Sequence, residues 1–111
     1  RALGLLHTEL ARAWTAEDLA REAFLSRSPF AKRFTALVGM PPMKYLATWR
    51  MQVAAQRLRD THRSIAQIAA EVGYESEAAF TRAFKREFSV SPAQWRRASL
   101  VAMADPMTPP I

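Results

Sequence analysis

The chain has 111 residues, with sixteen Lys and Arg against ten Asp and Glu, a formal net charge of +6 and no cysteine. This length allows one domain or two very small ones. The positive charge favours a polyanionic partner, with nucleic acid first and a membrane surface second. The lack of cysteine excludes a disulfide framework and a thiolate metal site. No apolar run approaches the ~20 residues of a membrane span, and no signal-peptide pattern or initiator Met opens the chain. We therefore expect a cytoplasmic piece of a longer protein that makes no membrane contact.

Two helices are predicted at the start of the chain. Residues 2–13 predict a helix that carries three leucines on one face, namely Leu3, Leu6 and Leu10. Thr15 followed by Asp18 is a capping box, which predicts a second helix over about 16–23.

A third helix is predicted to begin after Ser26 and to end at Gly39, because serine suits the N-cap and glycine the C-terminal cap. Pro29 is tolerated in its first turn. The predicted apolar stripe consists of Phe30, Phe34, Leu37 and Val38.

The longest predicted helix covers about 42–59. The Pro41–Pro42 pair suits its first turn, since proline is favoured at the first helical position. Apolar residues recur along it at helical spacing, namely Leu46, Trp49, Val53 and Leu58.

The last third of the chain repeats the signals for helix starts and ends that occur in the first part. Ser64 with Gln67 forms a second capping box, and Gly73 is placed to end the helix that follows. The remaining predicted elements are a helix over 76–88, a short helix through Arg97 and an irregular tail over 99–111.

The predicted fold is all-α, with about seven helices and no strand alternation of useful length. We expect two helix-turn-helix subdomains joined by a long central helix. The predicted bounds are 1–41 for the first subdomain with its leading helix, 42–60 for the linker helix, 61–98 for the second subdomain and 99–111 for the tail.

The two halves of the chain repeat each other. Leu19–Ala20 matches Ile68–Ala69, and after a short turn Phe30 and Phe34 match Phe80 and Phe84, with one extra residue in the second turn. Each copy is a capped helix, a turn and a second helix, which is the outline of a helix-turn-helix whose second helix enters the major groove of DNA.

The central helix has a length that suits two such units on DNA. A helix over 42–59 is about 27 Å long at ~1.5 Å per residue, and successive major grooves on one face of B-DNA repeat at ~34 Å. We therefore predict double-stranded DNA as the partner, with the recognition helices, about 27–38 and 76–88, in adjacent major grooves.

Three stretches carry a family resemblance: WTAEDLAREAFLSRSPFAKRFTALVGMPPMKYL, ATWRMQVAAQRLRD and SIAQIAAEVGYESEAAFTRAFKREFSVSPAQWRR. Together they resemble the C-terminal DNA-binding domain of the AraC/XylS transcription regulators over about residues 14–97. The resemblance implies an effector-binding or dimerisation domain outside these residues. The stretch GMPPMKYLATWRM is similar to the corresponding stretch of members that have an N-terminal cupin sensor.

In the second unit, Phe80, Phe84 and Phe88 are expected to face the core, which leaves five residues of that helix outward. Arg82 is the predicted guanine reader because its guanidinium matches O6 and N7. Ala78 suits a thymine methyl, and Glu77 either accepts from cytosine or favours the helix N-terminus. The predicted backbone contacts of this helix are Thr81 and Lys85.

In the first unit, Lys32 corresponds to Arg82 and is the predicted base reader, with Ser28 and Ala31 as further base contacts. A lysine there loses the bidentate fork of arginine, and the resemblance implies a larger side chain at Ser28 or Pro29 in many members. The predicted backbone contacts are Arg27, Arg33 and Thr35, although Arg33 equally suits a pair with a neighbouring carboxylate.

Two other classes of function compete with DNA binding. A basic helical module that docks on an acidic protein such as RNA polymerase is the alternative, and we also expect RNA polymerase as a partner of the DNA-binding form. An enzyme is disfavoured because no nucleophile–base pair, metal-ligand cluster or phosphate-binding glycine loop is present. We therefore predict no catalytic residue, no metal and no cofactor.

Overall fold

A computed structural model describes residues 2–104, and every regular element within this range is an α-helix. The seven helices of this part are α1 (Ala2–Thr8), α2 (Ala16–Glu22), α3 (Arg27–Val38), α4 (Pro42–Asp60), α5 (Ile65–Glu71), α6 (Glu77–Phe88) and α7 (Pro92–Ala104). The predicted all-α class is confirmed. None of these helices is long and apolar enough to cross a membrane.

The helices form two compact units, and the division falls between Arg50 and Met51, inside α4. Unit 1 comprises α1, α2, α3 and the first half of α4. Unit 2 comprises the second half of α4 with α5, α6 and α7. The predicted subdomain bounds, with 42–60 as a separate linker, stay a prediction.

Unit 1 buries an apolar core between its helices. Its largest fully buried side chains are Leu6, Leu19 and Leu46. Phe30 and Phe34 of α3 complete the core, with ring centroids 5.8 Å apart. Two predicted core positions are wrong, because Leu3 and Leu37 are exposed: Leu37, in the last turn of α3, keeps 81% of its surface accessible.

The first helix ends at Thr8, earlier than the predicted end at residue 13. Carbonyl groups of the segment that follows accept hydrogen bonds from side chains. The indole Nε1 of Trp14 donates to the Glu9 carbonyl at 2.9 Å, and the Arg50 guanidinium donates to the Leu10 carbonyl at 3.1–3.2 Å. These tertiary hydrogen bonds satisfy the backbone groups in place of further helical turns.

Both predicted capping boxes are present. The Thr15 hydroxyl accepts from the Asp18 N–H at 3.1 Å, and Asp18 accepts from the Thr15 N–H at 3.1 Å. In unit 2, Ser64 and Gln67 make the same reciprocal pair at 3.0 and 2.9 Å. Each box fixes the start of the first helix of its helix-turn-helix.

The turns after these helices have the same hydrogen bonds. In unit 1 the Leu25 N–H donates to the Ala20 carbonyl at 3.0 Å, and in unit 2 the Tyr74 N–H donates to the Ala69 carbonyl at 2.9 Å. This equivalence places the extra residue of the second turn at Glu75, between Tyr74 and the N-cap of α6.

Unit 2 buries a second core around α5 and α6. Ile68 and Val72 of α5 are fully buried, as are Phe80 and Phe84 of α6. Trp95 of α7 packs against this cluster, with its ring centroid 5.9 Å from that of Phe84. The predicted packing role of this tryptophan is therefore confirmed.

The last helix is longer than predicted, since α7 continues past Arg97 to Ala104. The prediction of an irregular tail is wrong for 99–104, and 105–111 lie outside the described residues. Alanine, leucine and methionine dominate the extension and are strong helix formers. The start of α7 is anchored as well, because Trp95 Nε1 donates to the Ala55 carbonyl at 3.1 Å and Arg96 Nε to the Leu58 carbonyl at 2.9 Å.

Candidate nucleic-acid interface

Helix α6 has a well-defined start and one strongly apolar face. The Ser76 hydroxyl accepts from the Ala79 N–H at 3.0 Å and so caps the helix. Phe80, Ala83 and Phe84 are buried against the rest of unit 2. The buried face therefore fixes which side of α6 is presented to a partner.

The five residues predicted to face outward on α6 do reach the surface. Thr81 is half-buried, and the other four are exposed, namely Glu77, Ala78, Arg82 and Lys85. Within residues 2–104, neither Arg82 nor Lys85 makes an ion pair or hydrogen bond through its side chain. Their charges are therefore available to an anionic partner.

The outward residues of α6 do not all point in the same direction from the helix axis. At ~100° of rotation per residue, Ala78 and Lys85 lie within about 60° of Arg82 around the helix axis. Glu77, in the first turn, lies about 140° from Arg82 and close to the direction of Phe84, and it is exposed. Two roles are predicted for Glu77, a contact with cytosine and a favourable charge at the helix start. Its direction favours the second role, in which the carboxylate lies at the positive N-terminus of the helix.

Arg86 is a basic residue of this face that sequence reasoning missed. It is exposed, follows Arg82 by four positions and lies about 40° from it around the axis. Its side chain also has no ion pair in the described part of the chain. The i, i+4 spacing of the two arginines was the signal that could have identified it.

Helix α3 begins at the predicted position without the side-chain cap of α6. Ser26 occupies the N-cap, yet its hydroxyl accepts no hydrogen bond from the first turn. The third helical position, whose N–H caps α6, is Pro29 in α3, and proline has no N–H. The first turn of α3 therefore lacks one stabilising interaction that α6 has.

The outward face of α3 is less basic than that of α6. Ala31 is half-buried, and the exposed predicted residues are Arg27, Ser28, Lys32, Arg33 and Thr35. Arg27 already pairs with Glu17 of α2, with 3.1 Å between Nη1 and Oε1. Lys32 has no side-chain partner within residues 2–104.

Arg33 does not share the face of Lys32 and Thr35. It lines a groove with Phe24 and Leu37, on the flank of α3 that lies towards α1. The matching residue of α6 is Ala83, which is buried. The backbone contact predicted for Arg33 stays a prediction that its position does not favour.

The geometry is that of two helix-turn-helix units, and comparison with known proteins agrees. The family model described as a helix-turn-helix domain matches residues 19–98. The chain therefore belongs to the helix-turn-helix family of AraC-type DNA-binding domains found in transcription regulators, which are not enzymes. The predicted family is confirmed, and the cupin-sensor subgroup stays a prediction.

Two relatives give the scale of the similarity. The chain is 47% identical over 96 residues to a Streptomyces lividans protein named as an AraC-like transcription regulator, covering 86% of this chain and 32% of that protein. It is 43% identical over 98 residues to the HTH-type transcriptional regulator AlkR of Acinetobacter baylyi, covering 88% and 32%. The chain thus spans about a third of the length of these relatives.

Two solved structures are similar to this chain over most of its length. The DNA-binding domain of the global transcriptional factor AdpA, solved in complex with a target DNA, is 29% identical with a TM-score of 0.86, and 96% of this chain and 95% of that chain are covered. The C-terminal domain of AraT, a response regulator from Geobacillus stearothermophilus, is 30% identical with a TM-score of 0.84, covering 88% and 82%.

Proposed function

We propose that the chain binds duplex DNA sequence-specifically by inserting α3 and α6 into adjacent major grooves. The observation that carries the proposal is the paired helix-turn-helix. On the outward face of both second helices, basic side chains such as Lys32 and Arg82 make no hydrogen bond or ion pair within residues 2–104. The 19 residues of α4 give it a length of about 28 Å, which suits a connector between neighbouring grooves.

The two recognition helices have unequal tasks in this proposal. Arg82 reads a guanine through its bidentate guanidinium, and Ala78 contacts a neighbouring base edge. Lys85 and Arg86 neutralise phosphates, with Thr81 as a further backbone contact. Glu77 orients the helix start more than it reads a base.

In the first unit, α3 makes the smaller contribution to sequence reading. Lys32 is its base reader, and Ser28 and Ala31 leave room for close approach of the helix to the groove. Arg27 and Thr35 contact the backbone. The Arg27–Glu17 pair is exposed, so exchanging the carboxylate for a phosphate involves little loss.

We also propose partners beyond DNA. In this proposal a longer protein carries an effector-binding or dimerisation domain elsewhere. It contacts RNA polymerase and is located in the cytoplasm. The support is the regulator family and the fraction of the relatives that this chain spans.

A hydroxyl-radical footprint on a selected duplex tests the two-groove arrangement. One chain is expected to protect two backbone segments about one helical turn apart on one face, at a site that is not a palindrome. Affinity is expected to fall steeply with salt because bound counterions are released. A footprint confined to one groove, or binding that ignores salt, would contradict the proposal.

A further inference from the structure

A groove with a volume of about 560 Å³ opens on unit 1. Its walls are α1, the turn between α2 and α3, and the flank of α3 that turns away from Lys32. Most of the lining is apolar. The residues that matter for its chemistry are Leu3, Phe24, Phe34, Leu37, Arg33 and Glu22.

Two of these apolar side chains are covered very little by the rest of the chain. Phe24 is 87% exposed and Leu37 is 81% exposed. Phe24 also adopts a left-handed backbone with φ of 58°, a region that costs free energy for any residue with a side chain. A strained and exposed phenylalanine beside a groove points to a partner that covers it.

The internal repeat shows that the fold does not require these residues. The equivalent of Phe24 in unit 2 is Gly73, which has the same left-handed conformation with φ of 96°. The equivalent of Leu37 is Glu87, which is exposed and polar. Unit 1 therefore carries an apolar surface at positions where the same helix-turn-helix in unit 2 has a glycine and a glutamate.

The groove is separate from the outward face of α3. Leu37 lies about 140° from Lys32 around the helix axis, at ~100° per residue. A partner seated in the groove would leave Lys32 and Thr35 uncovered. The groove can therefore be occupied while the other face of α3 lies on DNA.

The charges identify the kind of partner. Within residues 2–104 the guanidinium of Arg33 makes no hydrogen bond or ion pair, whereas Glu22, which also lines the groove, already interacts within the chain. The open polar group at the groove is thus cationic, and the whole chain carries a net charge of +6. A second copy of this chain would bring like charges together, whereas a partner with carboxylates would pair with Arg33.

We propose that this groove binds an acidic amphipathic helix of a separate protein. Apolar side chains at i, i+3 or i+4 and i+7 of that helix lie on Leu3, Phe24 and Leu37, and a carboxylate beside them accepts from Arg33. The proposal is independent of which bases the DNA-binding face reads. It adds to that face a docking site for an acidic protein on the opposite flank of α3.

The test uses a fluorescein-labelled helical peptide of roughly 18 residues, with leucines on one face and glutamates on the other. The parent chain is expected to bind it, and Phe24→Gly and Leu37→Glu, which install the residues of unit 2, to weaken binding about tenfold or more. Arg33→Ala is expected to weaken the glutamate peptide and leave a glutamine version unchanged. Leu100→Glu, on an exposed leucine outside the groove, is the matched control and retains parental binding.

Duplex binding and thermal unfolding of every variant are measured in parallel. Unchanged duplex affinity in Phe24→Gly and Leu37→Glu, together with lost peptide binding, supports the proposal. It is overturned if the parent does not bind the peptide or both variants bind it as the parent does. If the parent binds the glutamine peptide as tightly as the glutamate peptide, the partner is not acidic and the proposal is overturned. If the parent is a dimer in the ultracentrifuge and Leu37→Glu dissociates it, the groove belongs to a second copy of the chain.

Discussion

Phe24 and Gly73 hold the same left-handed backbone position, one in each helix-turn-helix turn, with φ of 58° and 96°. Each lies directly after the C-cap of its helix, Ala23 in unit 1 and Val72 in unit 2. Glycine adopts this conformation without a steric cost, and phenylalanine does not. The two turns therefore share the left-handed position, and we expect them to differ in stability.

Exchanging the residues at these turns is expected to have opposite effects. Phe24→Gly should raise the free energy of unfolding by about 0.5–1 kcal/mol, because relief of the left-handed strain exceeds the added flexibility of the unfolded chain. Gly73→Ala should lower it by about 1 kcal/mol. Urea unfolding measures both. A clear loss of stability in Phe24→Gly would mean that the phenylalanine packs usefully within unit 1.

The two capping boxes differ in one titratable group, which predicts a difference in pH dependence. The Thr15 hydroxyl, then the Thr15 N–H, and further Arg21, hold the pKa of Asp18 below its usual value. A carboxylate with a lowered folded pKa contributes stability above its unfolded pKa and loses that contribution as pH falls through the folded pKa. Asp18→Asn should therefore lower the melting temperature at pH 7, and the difference should shrink as the pH falls below about 4.

Gln67 provides the matched control for that experiment. It makes the same reciprocal cap with Ser64 and does not titrate. Gln67→Ala should lower the melting temperature by the same amount at pH 7 and at pH 3. If the effect of Asp18→Asn is also the same at both pH values, the carboxylate charge does not contribute to the cap.

Glu71 joins two arginines in unit 2. Its Oε1 accepts from Arg57 at 2.8 Å and from Arg63 at 2.9 Å, and the Arg57–Glu71 pair is about two thirds buried. Glu71→Gln should cost about 1 kcal/mol of unfolding free energy, since the pair is partly shielded from water and two charge-assisted bonds are lost. Glu17→Gln, which breaks only the exposed pair with Arg27, should cost less than about 0.5 kcal/mol. Equal losses would show that burial of the Glu71 pair is unimportant.

Local signals in the sequence predicted most of the helices. Both capping boxes and the glycine after α3 act through hydrogen bonds and backbone angles within a few residues, so the pattern of Thr15 or Ser64 followed by its partner is sufficient. The repeat also predicted that α3 and α6 would bury their phenylalanines and present the opposite face.

The features that the sequence did not predict depend on contacts between residues that are distant in sequence. After the early end of α1, the carbonyl groups of Glu9 and Leu10 accept from the side chains of Trp14 and Arg50, and Arg50 is about forty positions from the carbonyl that it contacts. Leu37 is exposed although its helical spacing places it near the direction of Phe30, because periodicity identifies a face of a helix and does not record which elements cover that face. Of the predicted site residues, Arg33 had two interpretations from the sequence, a DNA backbone contact or a pair with a neighbouring carboxylate. The fold places it in the groove beside Leu37, and within residues 2–104 it makes no ion pair.

The central claim is that α6 reads sequence through Arg82 while Lys85 contacts the backbone. Selection of bound sites from a random duplex library, with the parent, Arg82→Ala and Lys85→Ala under one salt condition, tests it most directly. Arg82→Ala should lose preference at one base, at a cost of ~1–3 kcal/mol for the preferred site. Lys85→Ala should weaken all sequences alike and lower the salt slope by about one. If Arg82→Ala keeps the full base preference of the parent, Arg82 is not the base reader and the account of this interface is wrong.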